Sequence, residues 1–366
     1  MNKRRRLNKK IKLLFVLVVL LAVLGSACYF VLGKDKVEKI VEKAKDKIPA
    51  KKKEEEPQIK AVNLNSNKRP FAIMINNLHP ARQMHSGLQD AYIIYEMIVE
   101  GGITRYLAVF ESDKKVDDAN FRIGPVRSSR HYYLDYVLEN DAIYVHNGYS
   151  PQAGEDFSKL GIDRISAEAP KTGYRENPLK LAREHTLFVS TKLLNENGIG
   201  KKRTEIKKDE KTGRTRLLKY STKEVSLDTK EGAIVANSIK IPYSNSYRTS
   251  YQYDAENKVY KRFVNEKEHT DYRTKNQYTF KNIITYKVAN NNIKSPDGYN
   301  GRQEIHNLGS GDGYYITNGY AVPIKWEKET RASKTIYRYL DGTEIEVNDG
   351  NTFIQIQPSS RELTIE

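Results

Sequence analysis

Tight-turn signals between β-rich segments constrain the fold of this 366-residue chain more than any other feature. Asn318-Gly319 separates YYIT from YAVPIKW, Asp341-Gly342 separates TIYRYL from TEIEV, and VNDG precedes NTFIQIQP. Asn-Gly and Asp-Gly pairs suit the positive φ angles of two-residue hairpin turns. We therefore predict a mainly antiparallel β meander over residues 231–358, which begins with the Tyr-rich strands of 247–288 and is followed by a short tail, 359–366.

The first half of the chain alternates short apolar segments with helical patterns, which is typical of an α/β domain. We place this domain at residues 69–200. Polar and charged residues with little periodicity then form a predicted linker, 201–230. The expected strands are FAIMINN, AYIIYEMIVE, ITRYLAVFES and AIYVHNG, and the expected helices are RHYYLDYVLEN (130–140) and PQAGEDFSKLG (151–161).

The N-terminus has the features of a membrane segment, which we place within residues 1–33. Seven Lys and Arg lie among the first twelve residues, and Leu13–Leu32 follows without a charge. A helix of that length spans the hydrocarbon core of about 30 Å. The basic flank favours the cytoplasmic side, so the membrane contains residues 11–32 and the remainder is extracytoplasmic. A charged juxtamembrane helix or stalk is expected over 34–68.

The only cysteine, Cys28, leaves two modes of tethering open. It follows Gly25-Ser26-Ala27, small residues like those that precede the cleavage site of a bacterial lipoprotein. A leucine is usual three residues before that cysteine, where this chain has Gly25. The segment is therefore an uncleaved anchor or a signal that ends in a lipidated Cys28, and both give the same topology. With one cysteine the chain has no internal disulfide, so its exported part depends on its core.

The net charge of +16 belongs mostly to the N-terminal segments. Residues 1–33 carry seven of the surplus positive charges and residues 34–60 carry three, which leaves six for residues 61–366. A mildly basic extracytoplasmic body suits peptidoglycan, teichoic acid or anionic lipid as a partner. Nucleic acid is excluded as a partner, because an exported domain has little access to it.

Four arginines within residues 101–130 form the first candidate site. Gly124-Pro125 followed by a helical pattern predicts a helix start, because proline is tolerated in the first turn. Free backbone N–H groups and guanidinium forks there would bind a phosphate or carboxylate. The alternative is that each arginine pairs with an internal carboxylate such as Glu96, Glu100, Glu111 or Asp135. The candidate ligand-binding residues of this stretch are Arg105, Arg122, Arg127, Ser128, Ser129 and Arg130.

A second group of candidates ends the strand AIYVHNG. His146, Asn147 and Ser150 lie where α/β sheets present ligand-binding groups, beyond the carboxyl end of a strand. His146 is also a candidate catalytic partner for Glu96 or Glu100. In one strand these two glutamates would stand about 13 Å apart, too far to serve together as a pair of glycosidase carboxylates. The chain has neither a G-x-S-x-G nor an H-E-x-x-H motif.

Other polar motifs favour structural interpretations. His269 and Asp271 are metal ligands by type, but EHTDYR is typical of a polar turn, and we predict no metal and no cofactor. GSGDGYY (309–315) leads into a strand, which favours a flexible turn over a phosphate loop. The 25 tyrosines suit either the core of a sheet or a partner surface.

The chain resembles the YerB-like family of exported bacterial proteins, which join an N-terminal domain of unknown function to a smaller YerB C-terminal domain. The matching segments are RPFAIMINN, SGLQDAYIIYEMIVEGGITRYLAVF, IGPVRSSRHYYLDY, AIYVHNGYSPQA, KNIITYKV, GDGYYITNGYAVPIKW and DGTEIEVNDGNTFIQI. They cover most of residues 69–357. The resemblance implies an exported, membrane-tethered protein, usually described as a lipoprotein. It implies no activity and no catalytic residue.

Together these features predict a protein of the bacterial cell membrane whose α/β and β domains are extracytoplasmic and bind an anionic or glycan ligand of the envelope. Two other functions stay open. One is an envelope hydrolase that uses Glu96 or Glu100 with His146, and the other is an assembly partner that acts through the Tyr-rich β domain.

Overall fold

A computed structural model describes Lys39 and residues 59–113 and 122–366. The chain from Pro57 to Glu366 forms one compact unit. Its strands are β1 (Phe71–Asn76), β2 (Ile93–Ile98), β3 (Thr104–Phe110), β4 (Ile143–His146), β5 (Arg164–Ser166), β6 (Gly173–Arg175), β7 (Leu187–Val189), β8 (Lys219–Tyr220), β9 (Ile234–Val235), β10 (Ser238–Pro242), β11 (Arg248–Asp254), β12 (Val259–Val264), β13 (Lys267–Glu268), β14 (Thr279–Phe280), β15 (Asn282–Val288), β16 (Asn290–Ile293), β17 (Arg302–Ile305), β18 (Gly309–Thr317), β19 (Tyr320–Lys328), β20 (Ile336–Tyr339), β21 (Glu346–Val347), β22 (Thr352–Pro358) and β23 (Thr364–Ile365).

The helices of the described residues are short and few. The α-helices are α1 (His79–Arg82), α2 (Leu134–Glu139), α3 (Pro151–Lys159) and α4 (Thr191–Leu193). Single 3₁₀ turns lie at Leu88–Asp90, Glu100–Gly102, His131–Tyr133 and Arg183–His185, and Leu194–Gly198 is a π-helical turn. The longest, α3, begins at Pro151, and the hydroxyl of Ser150 accepts a hydrogen bond from the N–H of Ala153 there.

The core is an eleven-stranded mixed sheet in the order β20-β19-β18-β15-β22-β2-β3-β1-β4-β5, with β9 paired to β19. Within this sheet, six strands run in one direction: β1, β2, β4, β5, β15 and β22. Strands β3 and β18 run in the opposite direction. Every residue of β1, β2, β3 and β22 is buried. This explains why β1, β2 and β3 are mostly apolar, since both faces of the sheet are covered.

A six-stranded antiparallel sheet, β13-β12-β11-β10-β23 with β14 beside β12, covers one face of the central sheet. The Tyr251 ring of β11 contacts Phe353 of β22 edge to face at 6.2 Å. On the opposite face, Tyr136 of α2 packs against Tyr95 at 4.8 Å. Tyrosines therefore fill both layers of the core, and among those almost fully buried are Tyr92, Tyr95, Tyr106, Tyr132, Tyr133, Tyr136, Tyr144, Tyr243, Tyr251 and Tyr260.

The C-terminal region is mainly antiparallel, as its turn signals predict. Asn318 and Gly319 have φ angles of 51° and 81° and join β18 to β19 in a tight hairpin. Asp341-Gly342 also forms a tight turn, in which Tyr339 N–H donates to Thr343 O at 2.9 Å. The two segments that this turn joins form a single β-bridge, between Arg338 and Glu344, rather than a longer hairpin. Both residue pairs, Asn318-Gly319 and Asp341-Gly342, therefore lie in tight turns, as the sequence predicts.

The region departs from an antiparallel meander at β22. This strand pairs in parallel with β15 on one side and β2 on the other. Its seven residues are all buried between those two strands, and it does not pair with β21, the strand before the VNDG turn. The run GSGDGYY, expected to form a flexible turn, lies in β18 and is paired to β19.

The predicted elements of the first half form at the expected places. Strands β1, β2, β3 and β4 and helices α2 and α3 lie within the segments named for them. The predicted linker 201–230 packs closely against the body. Arg216 and Leu217 within it are buried, and β8 pairs with β21. Strands from both sides of this segment share the central sheet, and the domain boundaries drawn above stay a prediction.

The predicted membrane segment, Cys28 and most of the predicted stalk (34–68) lie outside the described residues. Within the parts of the chain that the structure describes, no helix is long and apolar enough to cross a membrane.

Candidate anion-binding site

One edge of the central sheet collects the charged residues of the candidate site. Strands β1, β2, β4 and β15 end there and β3 begins there, as their pairing directions require. Glu100 is separated from the end of β2 by Val99, and Arg105 is the second residue of β3. The chain reverses between them through Gly101 and Gly102, both with φ near +70°. This is the edge at which mixed α/β sheets commonly bind ligands.

Three arginines surround Glu100, and we call Arg105, Arg130 and Arg302 the arginine cluster. Arg130 forms a fork with the carboxylate, donating Nε–H to Oε2 at 2.9 Å and Nη2–H to Oε1. Nη2 of Arg105 lies 3.7 Å from Oε1, and Nη1 of Arg302 lies 3.9 Å from it. Arg302 also pairs with Asp297. Three guanidinium groups therefore face two carboxylates.

The electrostatics of the arginine cluster show a surplus of positive charge. Burial raises the pKa of Glu100, but the hydrogen bond from Arg130 and the charges of Arg105 and Arg130 outweigh it and lower this pKa to about 2. Burial and the charge of Arg130 lower the pKa of Arg105 to about 10, despite Glu100. Glu100 is thus ionised and Arg105 remains charged at neutral pH, but one carboxylate does not neutralise its neighbours.

Arg127, Ser128 and Ser129 lie beside this cluster in extended backbone, so their predicted place in the first turn of a helix is wrong. Val126 N–H donates to Leu187 O and Arg127 N–H donates to Met74 O, which uses the donors that a helix start would leave free. Gly124-Pro125 is a cis peptide bond within this extended segment, and the helix begins only after Arg130.

The same segment holds Arg105 in place. The carbonyl of Ser128 accepts a hydrogen bond from Arg105 Nη1 at 2.6 Å. Arg127 pairs with Glu184 at 3.3 Å, and its charge is one of those that lower the pKa of Arg105. Ser129 N–H donates to Gly148 O, which joins the segment to the loop after β4.

Arg122 lies in a separate cluster. It pairs with Glu176, which also accepts from Arg273 at 2.9 Å, and its guanidinium stacks over Phe188 at 4.1 Å. Its side chain is fully buried. The structure therefore brings Arg105, Arg127 and Arg130 together and places Arg122 elsewhere.

Backbone hydrogen bonds join the chain around His146, Asn147 and Ser150 to residues 127–129. Asn147 N–H donates to Arg127 O at 3.0 Å, and Ser150 N–H donates to Ser129 O at 3.2 Å. The His146 ring is stacked between Tyr144 and Phe157 at 4.9 and 5.0 Å. Burial lowers its pKa to about 4, so the ring is neutral and packs as an aromatic group.

Glu96, the fourth residue of β2, belongs to a buried network that is separate from the arginine cluster. It pairs with Arg262 at 2.9 Å, where both side chains are fully buried, and it accepts hydrogen bonds from Thr104 and Tyr247 at 2.6 Å. Strands β3 and β1 separate β2 from β4, so about 14 Å lies between the strand carrying Glu96 and the one carrying His146. That spacing is too great for a direct hydrogen bond between the two residues.

His269 and Asp271 have structural partners. His269 contacts Arg262 and His85, each at 2.7 Å, and burial lowers the pKa of both histidines, that of His85 to about 3. Asp271 accepts from the N–H groups of Arg273 and Thr274 in a polar turn. Among the residues that the structure describes, no group of three or more His, Cys, Asp and Glu could hold a metal.

Sequence reasoning missed the contribution of the second half to the site. Arg302 and Glu304 lie in β17, which the chain places beside Glu100 and His131. Arg331 follows β19 and pairs with Asp135 at 2.6 Å and Asp156 at 2.7 Å. These partners lie about 170 to 200 residues apart in the chain, so no local spacing could have indicated them.

Comparisons with known proteins place these features in a family. A model described as protein of unknown function (DUF3048), N-terminal domain, matches residues 58–205, and the corresponding C-terminal domain matches residues 239–354. The Putative lipoprotein YerB of Bacillus subtilis (strain 168) is 26% identical over 300 residues, which are 80% of this chain and 82% of that protein. A crystal structure of YerB from Bacillus subtilis has a TM-score of 0.66 and 24% identity, and the match covers 82% of this chain and 94% of that one.

Proposed function

We propose that this chain, which belongs to the YerB-like (DUF3048) family, is a membrane-anchored protein of the bacterial cell envelope that binds an anionic envelope ligand through the arginine cluster and Arg127. Residues 11–32 tether it, as an uncleaved anchor or through a lipidated Cys28. The described body then lies outside the cytoplasmic membrane. The name of the relative as a lipoprotein and the N-terminal sequence support this placement.

The surplus of arginine around Glu100 is the observation that carries the proposal. Guanidinium forks are suited to phosphate and carboxylate groups, and Arg130 already binds one carboxylate in this manner. Burial and, after it, the charge of Arg130 lower the pKa of Arg105, and a bound anion would offset both effects. Peptidoglycan, teichoic acid and anionic lipid all supply such groups.

The alternatives have less support. The hydrolase would need a carboxylate close to His146, but Glu96 is buried in its pair with Arg262 and His146 is stacked between two rings. An assembly partner would need a surface of exposed tyrosines. In the part of the chain that the structure describes, most tyrosines are buried.

Binding measurements on the fragment 57–366 test the proposal, because this part is a compact unit with its own core. The probes are inorganic polyphosphate, poly(glycerol phosphate), phosphatidylglycerol vesicles and purified peptidoglycan. We expect Arg127→Ala with Arg130→Ala to weaken binding by at least about tenfold, since two charged hydrogen-bonding groups are lost. The affinity should also fall as salt rises.

A matched control separates the site from overall charge. Arg203→Ala with Arg214→Ala removes the same charge from arginines at the opposite edge of the central sheet, where they pair with Asp141 before β4 and with Glu344 after β20, and should leave the affinity almost unchanged. Arg130→Lys keeps the charge but loses the fork, and serves where the alanine variant folds poorly. Equal losses in both double variants, or no binding of any probe, would refute the proposal.

A further inference from the structure

A pocket adjoins the arginine cluster, and no part of the proposal above uses it. Its volume is about 370 Å³, within the range of small-ligand sites. Residues from both halves of the chain form it. Its lining includes His131, Asp135, Glu304, Asn307, Leu308 and Arg331.

The pocket is continuous with the arginine cluster through two segments. His131 and Tyr132 directly follow Arg130 in the chain. Arg302 and Glu304 are two residues apart in β17, so their side chains leave the same face of that strand. Glu304 then accepts from His131 Nε2 at 3.0 Å, which closes the pocket wall beside the cluster.

The chemistry of the pocket differs from that of the cluster. Asp135 is buried and accepts from Arg331 Nε at 2.6 Å and from Asn307 Nδ2 at 3.0 Å. Arg331 also pairs with Asp156, so its charge is fully matched by carboxylates. The pocket thus carries no cationic surplus for a second phosphate, while its carboxylate, amide and imidazole groups can accept and donate hydrogen bonds to hydroxyl groups.

One exposed apolar side chain lines the pocket, and an exposed aromatic ring lies against Arg302 of the arginine cluster. Leu308 lines the pocket and is 45% exposed, and Tyr299 is 53% exposed. The guanidinium of Arg302 lies 5.0 Å above the Tyr299 ring. Apolar surface beside hydrogen-bonding groups suits the carbon skeleton of a polyol or sugar, whose hydroxyl groups alternate with C–H faces.

We propose that this pocket binds the hydroxyl-bearing unit of a polymer in which phosphates alternate with polyol or sugar units, while the arginine cluster binds the adjacent phosphate. This inference rests on the proposed function and specifies its ligand class. It predicts a preference for polymers that contain such units over inorganic polyphosphate, which offers phosphate alone.

The test compares poly(glycerol phosphate) with inorganic polyphosphate, at equal phosphate, on the fragment 57–366. We expect the first to bind about five- to tenfold more tightly, the effect of one or two additional hydrogen bonds. Glu304→Ala and Leu308→Trp should each bring the ratio of the two affinities close to one. Because both probes carry the same charge, the ratio cancels the general effect of losing the Glu304 carboxylate.

Matched variants distinguish the two proposals. Arg302→Ala should weaken the binding of both probes to a similar extent. Glu224 is an exposed carboxylate that pairs with Lys258 and does not line the pocket, so Glu224→Ala should leave both affinities unchanged. A ratio near one in the unaltered fragment, or a ratio that Glu304→Ala and Leu308→Trp leave unchanged, would overturn the pocket alone. If no probe binds, both proposals are wrong, and if peptidoglycan or vesicles bind while neither polymer does, only the ligand class proposed here is wrong.

Discussion

Glu100 determines at the residue scale how strongly the candidate site attracts an anion. It is the carboxylate that Arg105, Arg130 and Arg302 share. It holds the guanidinium groups close together, and it also competes with any ligand for them. Breaking a buried ion pair leaves the remaining charge without compensation, so the same residue links the stability of this edge to its affinity.

We predict that Glu100→Gln binds polyphosphate roughly tenfold more tightly, or by about 1.4 kcal/mol, because a negative charge is removed while the side-chain shape is kept. Its free energy of unfolding should fall by about 2–4 kcal/mol, because the buried arginines lose their counter-charge. Isothermal titration and urea denaturation measure the two effects. Glu224→Gln is the control, and a weaker affinity in Glu100→Gln would show that the carboxylate contributes to binding directly.

The elements that sequence reasoning located are those with local causes. Strands β1 to β4 and helices α2 and α3 follow from periodicity, and the turn at Asn318-Gly319 follows from residues that accept positive φ. The helix start at Pro125 was wrong, because backbone hydrogen bonds to Met74 and Leu187 hold that segment extended. Such distant partners override a local signal that is otherwise sound.

Two turn glycines test this local chemistry. Gly319 has a φ of 81°, and an added Cβ would lie 2.8 Å from the Tyr253 ring, whereas Gly342 has a φ of 83° with nothing within 4 Å. Both alanine variants acquire backbone strain of about 1–3 kcal/mol, and only Gly319→Ala adds a collision. Urea denaturation should therefore show a larger loss for Gly319→Ala than for Gly342→Ala. Equal losses would mean that the Tyr253 ring moves aside freely.

At the scale of the whole molecule, the two halves of the sequence share one sheet. β2 pairs with β22 over five residue pairs, from Ile93 and Thr352 to Met97 and Ile356. The arginine cluster likewise combines Arg105 and Arg130 with Arg302 from the second half. The sequence predicted the first two arginines but not the third, because only the assembled sheet brings β17 to this edge.

We predict that the fragment 57–366 unfolds in a single transition. Separating the halves would remove β22 from between β2 and β15, and would leave buried apolar strand edges on both sides. Urea titrations followed by circular dichroism and by the fluorescence of Trp326, which lies in β19, should give the same midpoint within about 0.2 M. Two separate midpoints would show that the halves are independent domains.

The parallel pairing of β2 with β22 also sets the order in which the molecule can be completed. Synthesis proceeds from the N-terminus, and β22 is the penultimate strand of the chain. About 250 residues separate the two strands, or roughly 12–50 s at about 5–20 residues per second. During that interval β2 has no neighbour on one side, so the finished sheet can form only after nearly the whole chain has emerged.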